Sequence, residues 1–227
     1  MICGDYLTPD STLLLCSFCF THLPLIPPEH CPVCGRMTPS GGATCFQCQT
    51  QKPKFRQHRS VVFYTSEIRY VLLKYKFYRK RHYAATIGTL MSSYVTENYD
   101  FITAVPVSEK KKRNRGYNQS RLLAEQIEQI RQIPYKETLQ KTKHTPPQSK
   151  LGYKQRLTNI KNCFSVINPD EIRQKRILLI DDIYTTGSTI GECSKVLKKA
   201  GAAYVDVLTF AMTDKRIKSI KGTKNNE

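Results

Sequence analysis

Residues 177–189 read ILLIDDIYTTGST, and no other stretch limits the fold of this chain so sharply. An aliphatic run, Ile177 to Ile180, passes straight into Asp181 and Asp182. A hydroxyl-rich turn with one glycine follows, and then a helical pattern from about 188 to 200 that closes at Gly201. A short apolar run bounded by turn residues reads as a strand. Strand, turn and helix in that order form an anion seat. The amides of the helix N-terminus point at the ligand, and Gly187 lets the backbone approach it. Thr185, Thr186, Ser188 and Thr189 add hydroxyl donors. The two carboxylates stand badly against a phosphate but well against a vicinal diol, whose hydroxyls they accept. A ligand with a phosphate at one end and a ribose in its middle suits both halves of the stretch. The plain alternative is a core strand with aspartate helix caps. A Walker B strand is excluded, because no G-x-x-x-x-G-K-[ST] occurs; a dinucleotide fold is unsupported, because no G-x-G-x-x-G occurs.

The chain around this stretch alternates strand and helix. VVFY (61–64) reads as a strand, and 66–81 as a helix both basic and aromatic. Residues 84–98 read as a helix, FITAVPV (101–107) as a buried strand ending in a proline turn, and SEKKKRNRGYNQ (108–119) as a basic loop. Residues 120–130 form an amphipathic helix with Leu123, Ile127 and Ile130 on one face, and a short helix is expected near YKQRLTNI. AYVDVLTFAM (203–212) is a last strand, and Cys193 shares a core face with Ile190, Val196 and Leu197. Such alternation implies a parallel sheet with helices on both faces. Ligands of these sheets bind beyond the carboxyl ends of the strands. Both the basic loop and the acid-hydroxyl turn begin at such ends.

Seven of the nine cysteines lie in the first 48 residues. Cys31, Cys34, Cys45 and Cys48 form two C-x2-C turns with ten residues between them, a spacing that closes one tetrahedral zinc shell. Gly35 suits the tight turn of a knuckle. An all-thiolate shell is closed, so the site is structural rather than catalytic. Cys3, Cys16 and Cys19 make a second, incomplete zinc site. Its fourth ligand is either His22 or a cysteine upstream of Met1. The divisions expected are a cysteine-rich module over 1–50, a linker over 51–60, an α/β domain over 61–213 and a charged tail over 214–227.

The net charge of +18 lies wholly beyond this module, which holds Arg36 against Asp5, Asp10 and Glu29. Such an excess attracts polyanions or else serves solubility alone. Lys74, Lys76, Arg79, Lys80 and Arg81 alternate with Tyr70, Tyr75, Phe77, Tyr78 and Tyr83. Aromatic and basic side chains so interleaved either stack on unpaired bases while tracking phosphates, or leave the aromatics in the core. No 18-residue apolar run occurs, so no transmembrane helix is expected, and Leu13–Leu15 is too short for a signal-peptide core. The expectation is a cytoplasmic protein, with the inner face of the membrane as a peripheral site.

ILLIDDIYTTGST resembles the phosphoribosyl-pyrophosphate motif of type I phosphoribosyltransferases. Together with the cysteine pairs, YVLLKYKF, VPVSEKKKRNRGYNQSRLLAEQI and QSKLGYKQRLTNIKNCFSV, it is similar to the ComF/ComFC competence family, from Cys3 to about Met212. The resemblance implies a type I phosphoribosyltransferase-like sheet. It implies that Asp181 and Asp182 take the ribose hydroxyls, that Thr185 to Thr189 hold the 5′-phosphate, and that magnesium assists with pyrophosphate. Val105, Pro106, Arg113, Arg115 and Gly116 would then face the pyrophosphate. It further implies a part in the inward transport of single-stranded DNA during natural transformation, beside a competence helicase or other uptake machinery. Two alternatives stay open: an active phosphoribosyltransferase with an unknown acceptor, and a ligand-controlled regulator without turnover.

Overall fold

A strand that is aliphatic on both sides needs cover on both faces, and helices supply it here. The structure, a computed structural model, describes residues 1–4, 13–38, 41–142 and 160–214. Two short helices come first, α1 (Ser17–Thr21) and α2 (Phe46–Gln51). Then follow β1 (His58–Phe63), α3 (Ser66–Phe77), α4 (Tyr83–Ser92), β2 (Phe101–Ala104), α5 (Glu109–Arg115) and α6 (Gln119–Arg131). β3 (Leu139–Lys141), β4 (Phe164–Val166), β5 (Arg176–Tyr184), α7 (Ser188–Lys199) and β6 (Tyr204–Met212) complete the order. The main sheet is wholly parallel, in the order β1-β6-β5-β2. Ile177 stands opposite Val205 on one side and Phe101 on the other. β3 and β4 form a separate antiparallel pair.

The period of two along the strands divides the core. Leu178, Ile180, Leu208 and Phe210 pack with Leu72 of α3, Ile87 of α4, and Leu123 and Ile127 of α6. Ile177, Leu179, Val205 and Val207 pack on the other face with Ile190, Cys193 and Leu197 of α7. Burying each such side chain contributes about 1.5–3 kcal/mol. Cys193 is a core residue, as its spacing implied. Ile130 is not: it lies 42% exposed near the end of α6, past the stretch of helix that the sheet covers.

Several boundaries differ from the sequence reading. β5 does not stop at Ile180. Its pairing with β6 continues to Tyr184 opposite Met212, so both acids belong to the strand. SEKKKRNR is a helix, α5, rather than a loop: Ser108 caps it by accepting from the Lys111 amide, and Gly116, at φ +79°, ends it. α3 stops at Phe77, and Arg79 has a positive φ of 55°. The helix expected near YKQRLTNI, and the tail beyond Asp214, fall outside the described residues.

Residues 58–60, the end of the span expected as a linker, lie in the sheet. β1 begins at His58, and the Arg56 amide donates to the Val205 carbonyl. Asp206, buried under the sheet, accepts from Arg56 Nε at 2.9 Å, Gln57 Nε2 at 2.8 Å and Tyr99 Oη at 2.9 Å. A buried carboxylate needs such partners, and here they fix the chain leading into β1. The cysteine-rich segment also docks on this edge. The Ile26 amide donates to the Val61 carbonyl at 3.1 Å, and the Phe63 amide to Pro24 at 2.8 Å. Leu15, Cys19 and Leu23 join the core on that side.

Candidate functional site

The turn from Thr185 to Thr189 joins β5 to α7 at the carboxyl edge of the sheet. Gly187 is the N-cap of α7, with φ +78°, and brings no side chain to the first-turn amides. A Cβ at this position would lie 2.6 Å from Tyr184 Oη, so space as well as conformation requires glycine. Thr186 Oγ1 and Ser188 Oγ lie 2.6 Å apart, and Thr186 Oγ1 also accepts from the Ser188 amide. The loop thus presents hydroxyls and a helix N-terminus to one space.

That space is a cavity of about 470 Å³, to which Asp181, Asp182 and all five turn residues contribute. Asp181 Oδ1 accepts from Ser120 Oγ at 2.8 Å and from the Asp182 amide at 2.9 Å. Burial first, and then the charge of Asp182, push the Asp181 carboxyl up to about 7. Asp182 is ion-paired with Lys76 from the last turn of α3. The same cavity has a basic wall, with Lys111, Arg115 and Lys141 among its lining residues. Burial lowers the pKa of all three, and at Lys111 the charges of Lys141, Arg115 and Lys76 add to it. Cations held together against burial and mutual repulsion gain most from an anion placed between them.

Of the residues expected on the pyrophosphate side, Val105, Pro106 and Arg115 line this cavity. Arg113 and Gly116 do not. Lys111 and Arg115 stand four apart on one face of α5, which turns Arg113 to solvent. Gly116 lines a second cavity of about 520 Å³, which shares Pro106, Val107 and Lys141 with the first. Lys76, Lys111, Ser120 and Lys141 were not singled out for this cleft from the sequence. The i,i+4 pairing of Lys111 with Arg115 was the one signal available, and reading the segment as a loop hid it.

The sequence groups Lys76 with Lys74, Arg79, Lys80 and Arg81 as a nucleic-acid stripe, whereas its pairing with Asp182 draws it into the cleft. Arg79, Lys80 and Arg81 are exposed and Lys74 is partly so. The aromatics divide: Tyr75 and Tyr83 are buried, whereas Tyr70, Phe77 and Tyr78 are 49%, 58% and 70% exposed. Lys74 lies 4.2 Å over the Tyr70 ring, and Arg115 4.8 Å over Phe77.

Cys31, Cys34, Cys45 and Cys48 converge, each with its sulfur within 4.8 Å of the others. Cys34 Sγ and Cys45 Sγ are 3.6 Å apart. Zinc–sulfur bonds of about 2.3 Å in a tetrahedron place sulfurs about 3.8 Å apart, so the cage fits that ion. Burial pushes the Cys34 thiol up to about 12. At Cys31 burial acts upward too, but the amides of Cys45, Cys34 and Val33 outweigh it and bring the thiol down to about 7. These four thiols can hold a metal ion. Cys3, Cys16 and Cys19 form a second group, with Cys3 Sγ 3.6 Å from Cys16 Sγ. His22 is not part of it. As the residue that ends α1, it folds back, with Nδ1 2.8 Å from the Phe18 carbonyl and its ring stacked on Phe18.

Behind the four-thiol group lies His58, fully buried and pushed down to about 3 by that burial, so it is neutral. Its Nδ1 donates to the Cys34 carbonyl, and its ring stacks on Tyr184. Among the described residues no helix is long and apolar enough to cross a membrane.

The fold is a parallel α/β sheet with flanking helices, a cavity beyond its strand ends and a cysteine-rich segment in front, the fold class expected from the sequence. The chain belongs to the ComF competence family. It is 31% identical over 229 residues to Competence protein ComFC of Streptococcus pneumoniae, covering 93% of this chain and 98% of that one. It is 30% identical over 207 residues to Competence protein F of Haemophilus influenzae, covering 87% and 90%. DNA utilization protein YhgH of Escherichia coli K12 is 27% identical over 192 residues, covering 81% and 84%. No family model matches the chain. Similar solved structures include purine phosphoribosyltransferase from Pyrococcus horikoshii, at 16% identity and a TM-score of 0.32, covering 60% of this chain and 75% of that one. Adenine phosphoribosyltransferase from Thermoanaerobacter pseudethanolicus is similar at 15% identity and a TM-score of 0.37, covering 65% and 87%.

Proposed function

We propose that this chain binds phosphoribosyl pyrophosphate with magnesium in the cleft at the ends of β2 and β5, and that it acts on single-stranded DNA during uptake. One observation carries the ligand reading. A pair of acids, an open helix N-terminus and the cations Lys76, Lys111, Arg115 and Lys141 meet around a single cavity. The turn takes the 5′-phosphate, Asp181 and Asp182 take the ribose hydroxyls, and the basic wall takes the pyrophosphate with its magnesium. Cys31, Cys34, Cys45 and Cys48 hold a structural zinc, and Cys3, Cys16 and Cys19 contribute to a second site. Calorimetry tests the ligand: phosphoribosyl pyrophosphate binds more tightly with magnesium than without it, and a silent titration in both overturns the reading.

The DNA reading is supported by the relatives' names, Competence protein and DNA utilization protein, and by the exposed Tyr70, Phe77 and Tyr78 beside Lys74, Arg79, Lys80 and Arg81. It places the protein in the cytoplasm or at the inner face of the membrane, with a helicase or another uptake component as partner. Turnover to an acceptor has one observation in its favour, the second cavity that adjoins the first across Pro106 and Val107. Release of pyrophosphate on addition of single-stranded DNA or nucleobases separates turnover from binding alone.

A further inference from the structure

The four-thiol group and the Thr185–Thr189 turn are more than 130 residues apart in sequence, and two side chains join them, Arg36 directly and His58 through Tyr184. Arg36 lies two residues after Cys34 and donates from Nη2 to the Thr185 carbonyl at 3.0 Å. Its other terminal nitrogen bonds Gln47 on α2, between Cys45 and Cys48. The guanidinium also stands 5.5 Å from the centroid of the Tyr184 ring. The second link is His58. Its Nδ1 donates to the Cys34 carbonyl at 2.8 Å, and its Nε2 faces Thr209 Oγ1 at 2.9 Å and Ser60 Oγ at 3.1 Å. Its ring stacks on Tyr184 with centroids 4.1 Å apart and an interplanar angle of 18°. Gly35 makes the close approach possible, since a Cβ there would lie 3.0 Å from the His58 carbonyl. Tyr184 then holds its hydroxyl against Gly187, the residue that opens α7.

We infer that Arg36 and His58 are positioning residues that couple the four-thiol metal centre to the Thr185–Thr189 turn, so that metal loading and 5′-phosphate binding favour each other. This rests on the ligand reading above. A C-x2-C turn without its ion loses the constraint on Cys34 and therefore on the peptide that His58 and Arg36 grip. The turn reaches its working shape only when Tyr184 and the Thr185 carbonyl are held from behind. By linkage, a ligand on the turn then raises metal affinity by the factor by which metal raises ligand affinity. The relevant arginine comes from the module rather than from the basic wall, so it should act on one end of the ligand only.

The full chain, Arg36→Ala and Arg36→Lys are compared for zinc content, calorimetric binding of ribose 5-phosphate and of inorganic pyrophosphate, and amide exchange over 185–190. Arg36→Ala is expected to keep its zinc, to bind ribose 5-phosphate about five- to twentyfold more weakly and to bind pyrophosphate as the parent does. Its turn amides exchange faster, and lysine restores part of both losses. Stripping zinc from the parent with a chelator weakens ribose 5-phosphate to a similar degree, with a smaller further effect in Arg36→Ala. Equal ribose 5-phosphate binding and unchanged turn exchange in Arg36→Ala overturn the coupling. Parallel loss of both ligands overturns it too, since that marks general damage to the fold. If the parent binds no ribose 5-phosphate, the ligand reading fails, and turn exchange that also ignores both Arg36 and zinc removes the coupling independently.

Discussion

Lys76 spans from the last turn of α3 to the carboxylate of Asp182 and so stands inside the cleft, while Lys74, two residues earlier, lies outside over the ring of Tyr70. One helix end therefore supplies both a site cation and part of an outer basic surface. Removing Lys76 leaves Asp182, 9% exposed at its side chain, without its ammonium and next to Asp181. Lys76→Met should cost about 2–4 kcal/mol of unfolding free energy at pH 8, as expected when one partner of a buried pair is lost. The loss should shrink towards pH 5, where a proton on the acid pair replaces the cation. Urea unfolding at the two pH values measures it, and an equal loss at both rejects the ion pair as its source.

The outer surface has its own signature. Replacing Lys74, Arg79, Lys80 and Arg81 together by Ala should reduce the salt slope of single-strand affinity by up to about 3, at roughly 0.7 per phosphate contact. Lys76→Ala alone should leave that slope unchanged, because its nitrogen is engaged with Asp182. Fluorescence anisotropy with a labelled oligonucleotide over a salt series distinguishes the two variants. An unaltered slope in the fourfold variant moves the DNA contact elsewhere, with Lys110–Arg115 next to be tested.

Metal loss should reach further than the cysteine-rich segment. Cys34→Ser should lose about one equivalent of zinc, since one missing thiolate opens the tetrahedral shell. The same segment contributes Leu15 and Leu23 to the core and pairs along β1, so the thermal midpoint of the whole chain should fall as well. Zinc analysis and calorimetric scanning on the same sample check both. Full zinc content in this variant rejects the four-thiol shell.

Asp181 gives a pH dependence whose sign is fixed. Its carboxyl is pushed up to about 7 in the folded chain, by burial and then by Asp182, against about 3.9 when unfolded. The folded state binds the more protons between those values, so the favourable contribution is complete below about pH 4 and is lost as pH rises to about 7. Asp181→Asn should therefore flatten the stability profile between pH 5 and 8, with a gain over the parent of about 1–3 kcal/mol at pH 8. An identical profile in parent and variant assigns the titration to another group.

How much of this was legible depended on where each contact comes from. β5 was readable because Ile177–Ile180 alternate between two helical layers and so must all be apolar. Its end was misplaced because polar residues, Asp181 and Asp182, continue the same ladder with β6. The hydroxyl turn was readable as a local pattern. The cations were harder, since Lys76 comes from α3, Lys111 from α5 and Lys141 from β3, and only tertiary packing brings them together. The docking of the cysteine pairs on β1 left a trace too slight to interpret, namely one histidine, His58, in a segment otherwise polar enough to resemble a linker.

The acids and the turn can be told apart by ligand. Thr186→Val removes the hydroxyl that meets Ser188 Oγ and accepts from the Ser188 amide, so both the donor to phosphate and the shape of the turn suffer. Every ligand with a 5′-phosphate should lose about 1–3 kcal/mol, the scale of a hydrogen bond to a charged group. Asp181→Asn with Asp182→Asn acts in the opposite sense on simple anions. It replaces two anionic acceptors for a ribose diol by neutral amides and removes a local repulsion, so sulfate should bind as well as in the parent or better, while ribose 5-phosphate and phosphoribosyl pyrophosphate weaken. Lys76 sharpens the contrast, because without Asp182 its ammonium is released towards any anion in the cavity. Calorimetry with the three ligands reads the sign directly. If the double variant weakens sulfate as much as ribose 5-phosphate, the acids hold the cavity's shape and the diol assignment is wrong.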